Sequence, residues 1–200
     1  MAAAAVRYLR SAEGSSAVRP VEALPRPDLR CVGEDERAPV DQGEFRRVLG
    51  NFATGVTVVT APAADGETGP AGFACQSFSS LSLDPPLIAF MVGRTSTTWP
   101  RIARAGAFCV NVLGAHQGQL CRGFAVSGTD KFAGVAYDAA PVSGSPRLAG
   151  GLAWIDCTIH AVHTGGDHLI VVGRVDALGA ADAPDGPLIF HRGRFERLGD

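Results

Sequence analysis

Long apolar runs are missing from this 200-residue chain: no stretch approaches the roughly 20 residues that cross a bilayer as a helix. Charge is sparse as well. Only 19% of residues are charged, the formal net charge is −2, and no basic run or Arg/Lys stripe occurs, which argues against nucleic acid as a partner. The five cysteines, Cys31, Cys75, Cys109, Cys121 and Cys157, are odd in number and form no Cys-x-x-Cys pair. Three of them sit in apolar strand patterns, where a free thiol behaves as a small hydrophobe. A reducing cytoplasm is the expected compartment. The opening segment, Met1 to Arg10, lacks the uninterrupted apolar core of a secretory signal. Gly-x-Gly-x-x-Gly, P-loop, Gly-x-Ser-x-Gly and His-Glu-x-x-His signatures are all absent. His160 and His163 lie three apart on an expected strand and so point to opposite faces, and no metal site is expected. What the chain does have is 46% hydrophobic residues, enough for one domain with a full core.

Residues 1–40 differ from the rest. They hold Pro20, Pro25, Pro27 and Pro39, six basic and six acidic residues, and few periodic apolar positions. They read as a flexible N-terminal extension, with the folded domain spanning residues 41–200. Asp41 and Glu44 form a capping-box-like start, followed at helical spacing by Phe45, Val48, Leu49 and Phe52. Gly55–Thr60 alternates and is β-branched. Turn residues at 64–69 predict a hairpin into a second strand, Ala71–Ser82, which Pro85-Pro86 ends. Leu87–Val92 reads as a buried strand. A helix is expected at Thr97–Arg104, capped by Ser96 or Thr97 with Pro100 in its first turn. Ala107–Leu113 is a strand, and Gln117–Val126 a helix with Leu120, Phe124 and Ala125 inward. Two long strands, Leu152–Val162 and His168–Leu178, precede a short pair over Leu188–Leu198. Many strands with turn signals and few helices predict a mainly β fold, a closed antiparallel barrel. No internal repeat is present.

Three places could carry chemistry. Along Gly72–Ser80, Phe73, Ala74, Cys75, Gln76, Ser77 and Ser79 alternate small and polar side chains. Such a surface admits a flat heteroaromatic ring against the backbone, with N–H groups and hydroxyls for its polar edge. By pattern alone the segment reads first as a half-exposed strand with serines toward water. In Gly93–Pro100, Arg94 precedes Thr95, Ser96, Thr97 and Thr98 at a helix start, which is more hydroxyls than a cap requires and suits an anion. Lys131 reads equally as a surface lysine or as a phosphate ligand. His168 follows Gly165-Gly166-Asp167 at a loop–strand junction, where a ring can face a cleft or end a strand.

Taken in order, Phe52–Thr60, Ser77–Leu87, Phe108–Leu113, Asp130–Phe132, Gly165–Val175 and Pro187–Gly193 resemble the flavin reductase-like domain family from about Phe45 to the C-terminus. The resemblance implies a Greek-key split barrel and reduction of FMN or FAD by NADH or NADPH, with hydride passing from nicotinamide C4 to flavin N5. It implies a homodimer that supplies reduced flavin to a separate flavin-dependent monooxygenase. Residues 73–77 with Ser79 would cradle the isoalloxazine, although Cys75-Gln76 departs from the family's usual small residues. Arg94, Ser96, Thr97, Thr98 and Lys131 would meet the flavin phosphate. Asp167 and His168, the latter as the catalytic position, would lie by the nicotinamide, and Phe190 and His191 would close over the dinucleotide. Neither a membrane nor nucleic acid is expected as a partner. A pyridoxamine-phosphate oxidase-like flavoprotein and a non-catalytic flavin or electron carrier are the alternative readings.

Overall fold

Every residue from Val56 to Ala61 is buried, and this segment organises the domain. The computed structural model describes residues 40–128, 130–181 and 186–198. The extension expected over residues 1–40 lies outside them except for Val40, and so does Cys31.

In chain order come helix α1 (Gln42–Leu49), strands β1 (Thr54–Gly55), β2 (Thr57–Ala61), β3 (Ala71–Cys75), β4 (Phe78–Leu83) and β5 (Pro86–Gly93), and helix α2 (Trp99–Ala105). Strand β6 (Ala107–Val112) leads through a single 3₁₀ turn, Ala115–Gln117, into helix α3 (Gly118–Ala125). Then follow β7 (Tyr137–Ala139), β8 (Pro146–Leu148), the long pair β9 (Ala153–Gly165) and β10 (His168–Ala180), and the hairpin β11 (Ile189–His191) and β12 (Arg194–Glu196). Seven strands form one antiparallel sheet in the order β3-β2-β6-β9-β10-β5-β4.

Because successive side chains alternate across a strand, β2 serves two cores. Val59 joins Ile88, Phe90, Trp99, Ile102 and Phe108, while Val58 joins Leu113, Cys121, Phe124 and Leu188. Phe90 meets the Phe108 ring edge-on at 5.2 Å. Gly173 lets that ring through: a Cβ there would stand 2.5 Å from Phe108 Cζ. The buried carboxylate of Asp156 accepts from the Val142 and Ser143 backbone N–H groups at 2.9 and 3.1 Å, which anchors the turn before β8.

Several expectations need correction. The barrel is not closed: among the described residues no sheet returns on itself, and β3 and β4 are the two edges. These edges are consecutive in sequence and separated by Gln76-Ser77 alone, so the expected single strand Ala71–Ser82 is broken there. A side chain takes the place of a backbone ladder at this point. Ser77 Oγ donates to Met91 O at 3.0 Å and accepts from Met91 N at 3.1 Å, the competition with regular pairing that serine hydroxyls offer. The result is a seam between β3 and β5. Strand β5 alternates, with Ile88, Phe90 and Val92 buried and Met91 exposed, so it is half-buried rather than wholly buried. In α3 the inward residues are Cys121 and Phe124, with Leu120 partly covered and Ala125 exposed.

Helix α1 starts where expected. Asp41 Oδ1 accepts from the N–H groups of Gly43 and Glu44, but Glu44 pairs with Arg47 instead of returning to the cap. No residue of α1 is buried. Phe45, Val48 and Leu49, together with Phe52, form an exposed apolar face. Among the described residues no helix is long and apolar enough to cross a membrane.

Candidate functional site

The seam opens into a cleft of about 420 Å³ lined by Phe73, Ala74, Cys75, Gln76, Ser77, Met91, Val92, Gly93, Ser96 and His168. Three pieces of chain converge here for local reasons. The break after β3 exposes Gln76 and the neighbouring backbone. Strand β5 ends at Gly93, which lies opposite His168 in the β5–β10 ladder. The loop after β5 is fastened to the β9–β10 turn by Arg94 N donating to Asp167 O at 2.9 Å.

His168 Nδ1 lies 2.7 Å from Asp167 Oδ1. A carboxylate accepts there, which places the proton on Nδ1 and leaves Nε2 of the neutral ring as an acceptor. Nε2 points toward Gly93: a Cβ built on that glycine would sit 3.9 Å from it. Hydrogen bonding to His168 holds the Asp167 carboxyl below the ordinary aspartate range.

Ser96 combines two tasks. Its Oγ accepts from Trp99 N, the first residue of α2, at 3.1 Å, and its own O–H proton stays free for a ligand. Ser77 differs, since its single proton goes to Met91 O. Cys75 is 6% exposed, and burial pushes its thiol up from the ordinary range despite the hydroxyl of Ser77 beside it.

Of the residues singled out in the sequence, the cleft therefore gathers Phe73, Ala74, Cys75, Gln76, Ser77, Ser96 and His168. Arg94, Thr97 and Thr98 share the Ser96 loop without lining the cleft, and Asp167 stands behind His168. Ser79 is exposed on β4 and donates to Ser80 O. Lys131 lies elsewhere: its ammonium donates to Gly72 O and Phe124 O, both at 3.1 Å. Burial, with help from Arg101, pulls its pKa down. Phe190 packs edge-on against Phe195 at 5.8 Å. His191 lines a second concavity of about 400 Å³ with Arg192, Arg194 and Glu196. The sequence reading missed Met91, Val92 and Gly93 as lining residues. The glycine that ends an apolar strand just before the hydroxyl-rich loop was the available signal.

The cleft suits a flavin ring. Phe73, Ala74, Met91 and Val92 give an apolar floor, and Gln76, Ser96 and His168 give polar groups at its margin, as a ring with one apolar and one polar end requires. Among the described residues no group of three or more His, Cys, Asp or Glu side chains is disposed to hold a metal ion.

Comparison with known proteins identifies the family. The model of the flavin reductase like domain matches residues 49–199. The chain is 46% identical over 166 residues to a flavin reductase of Pseudomonas putida, covering 83% of this chain and 95% of that protein. It is 48% identical over 156 residues to the reductase subunit HsaB of a flavin-dependent monooxygenase from Rhodococcus jostii (strain RHA1), covering 78% and 77% of the two chains. The structure of the Streptomyces globisporus C-1027 NADH:FAD oxidoreductase SgcE6, in complex with NAD and FAD fragments, superposes with a TM-score of 0.73 at 38% identity, covering 80% of this chain and 93% of that one. The chain belongs to the flavin reductase-like domain family.

Proposed function

We propose that this protein reduces FMN or FAD with NADH, or with NADPH, and passes the reduced flavin to a separate flavin-dependent monooxygenase. The observation that carries this reading is the convergence, at one open seam, of the Ala74–Ser77 backbone, the free hydroxyl proton of Ser96 and the Asp167-oriented ring of His168. The flavin and dinucleotide together supply the redox chemistry, a hydride moving from nicotinamide C4 to flavin N5. The chain supplies position. Phe73, Ala74 and Met91 offer a flat apolar bed, and residues 74–77 offer backbone groups to the ring's polar edge. Ser96 donates toward a phosphate at the start of α2, with Arg94, Thr97 and Thr98 on the same loop. His168 Nε2 accepts from the nicotinamide carboxamide and so fixes the face presented to the flavin. Holding both rings at reacting distance is where such a site gains its rate. Phe190 and His191 border the dinucleotide's outer end. A shallow, open cleft suits exchange of flavin with the partner enzyme.

The working form is a homodimer in the cytoplasm. Strands β5 and β6 do not supply its contact surface, since their large side chains Phe90, Phe108 and Val110 are fully buried. The exposed apolar face of α1 with Phe52, and Leu81 and Leu83 on the edge strand β4, offer that surface instead. Sedimentation at micromolar concentration is expected to give the dimer mass, and monomer alone would defeat this assignment.

The deciding experiment is steady-state oxidation of NADH and NADPH against FMN, FAD and riboflavin. Turnover with at least one free flavin is expected. Tightly bound flavin with no pyridine-nucleotide turnover would mark a carrier protein and overturn the proposal.

A further inference from the structure

Strand β3 carries Phe73, Ala74 and Cys75 of the cleft, yet it is an edge strand, with β2 as its one neighbour in the sheet. An edge strand has one side without ladder partners. Two side-chain cations grip its first residues instead. Arg101, on α2, donates through Nη2 to Gly69 O at 2.7 Å and to Pro70 O at 3.3 Å. Lys131 Nζ donates to Gly72 O at 3.1 Å and, with the same ammonium, to Phe124 O near the end of α3, also at 3.1 Å. The next residue along β3 is Phe73, the first of the strand to line the cleft. Glu67 sets the aim of Arg101. Its Oε2 accepts from Arg101 Nε at 3.0 Å, while its other oxygen pairs with Arg104, so the rigid guanidinium fork turns Nη2 toward the strand. Helix α2 also follows the loop that bears Ser96. Its Trp99 meets the Phe90 ring edge-on at 6.3 Å, and Phe90 meets Phe73 at 6.0 Å. The helix thus touches β3 twice, through rings in the core and through Arg101 at the edge.

We propose that Arg101 and Lys131 are positioning residues for flavin reduction: without touching the flavin, they hold the edge strand β3 against α2 and α3 and so set the spacing between the Phe73–Ser77 bed and the Ser96 loop. This rests on the flavin ring lying in the seam cleft. Neither cation lines that cleft, and each spends its donors on backbone carbonyls of two separate elements, as a strut does. The fold itself has other supports at this point. Strand β3 is paired with β2 over five residues, from Thr57↔Cys75 to Ala61↔Ala71, and Ala71 and Cys75 are buried in the core. Arg101 and Lys131 stand at the boundary with water, each partly exposed. Loss of either leaves the core closed and lets the bed shift, and a small shift of a reacting ring is costly.

The test uses the full chain with Arg101→Gln, Arg101→Lys, Lys131→Met and the double variant R101Q/K131M. Binding of FMN and of riboflavin is read from flavin fluorescence, beside the melting temperature and the turnover with NADH. R101Q and K131M are each expected to weaken FMN and riboflavin alike by about fivefold, because a displaced bed affects the ring and not the phosphate. The double variant should lose more than the product of the two single losses, since each strut covers for the other. R101K should recover part of the R101Q loss, and KM for NADH should stay within about twofold of wild type. A lowered melting temperature with both flavin affinities unchanged overturns the proposal. So does loss of FMN affinity with riboflavin untouched, which would put the cation on the phosphate itself. Gln76→Trp fills the cleft from an exposed position and checks where the ring lies. If riboflavin binds Q76W as well as wild type, the ring lies outside the cleft, and the placement of the flavin fails together with the proposal built on it.

Discussion

The two concavities are built from different materials. The seam cleft stands on strands whose neighbouring side chains reach into the core: Cys75 is 6% and Val92 4% exposed, and both flank positions that face the cleft. The second concavity is lined by the β11–β12 hairpin alone, whose Arg192 donates to Asn51 Oδ1 at 2.9 Å just beyond α1, a helix with no buried residue. A packed core resists displacement, whereas a helix of eight residues without a buried face has little intrinsic stability. The division matches the two demands of hydride transfer between separate molecules. The flavin ring needs a fixed bed, and the long dinucleotide needs a margin that can open to let it in and out.

The sharpest way to break this comparison is to disturb the frame behind the cleft. Gly173→Ala drives a methyl group against Phe108 and is expected to destabilise the fold by roughly 3 kcal/mol, read as a lower midpoint in urea. A loss below about 1 kcal/mol would show that the frame yields as easily as the margin. His168→Ala should leave stability within about 0.5 kcal/mol while lowering kcat/KM for NADH by up to about a hundredfold, since small misplacement of the rings is costly. Asn at this position should restore part of the loss, and stopped-flow flavin reduction across pH distinguishes the roles. A rate that follows an ionisation near neutral pH, with no rescue by Asn, would make His168 an essential acid instead of a positioning group. Ser96→Ala with Thr97→Ala removes hydroxyl donors worth roughly 1.5–3 kcal/mol each to a charged acceptor. FMN affinity should fall at least tenfold while riboflavin affinity changes little, and equal loss for both would put the phosphate elsewhere. The smallest effect is expected from truncation to begin near Val40, which should retain the fold and the reductase turnover. Collapse of turnover with the fold intact would mean that the first residues cover the site.

What could be read from the sequence followed local rules. The alternation of β2, the double proline after β4 and the Gly-Asp-His corner each depend on a few neighbouring residues, and each stands where expected, whereas α2 begins at Trp99 with Thr98 at its N-cap, two residues later than its hydroxyl run suggested. The break at Gln76-Ser77 did not show, because it depends on a serine hydroxyl finding Met91, fourteen residues away. The openness of the sheet follows from that same contact and was equally hidden. Periodicity put Phe45, Val48, Leu49 and Phe52 on one face of α1, but period alone cannot tell a face turned inward from one left exposed.

The cysteines gain a meaning from the chemistry around them. Reduced flavin that escapes to dioxygen yields hydrogen peroxide, so an enzyme of this kind works beside an oxidant of its own making. Peroxide attacks the thiolate, not the thiol. Cys75, Cys109, Cys121 and Cys157 are all buried, and burial raises each of them, Cys109 to about 12 with the Asp156 carboxylate adding to the effect. Near neutral pH these four sulfurs carry almost no thiolate. The packing that buries them thus also keeps them in the protonated form that peroxide attacks least.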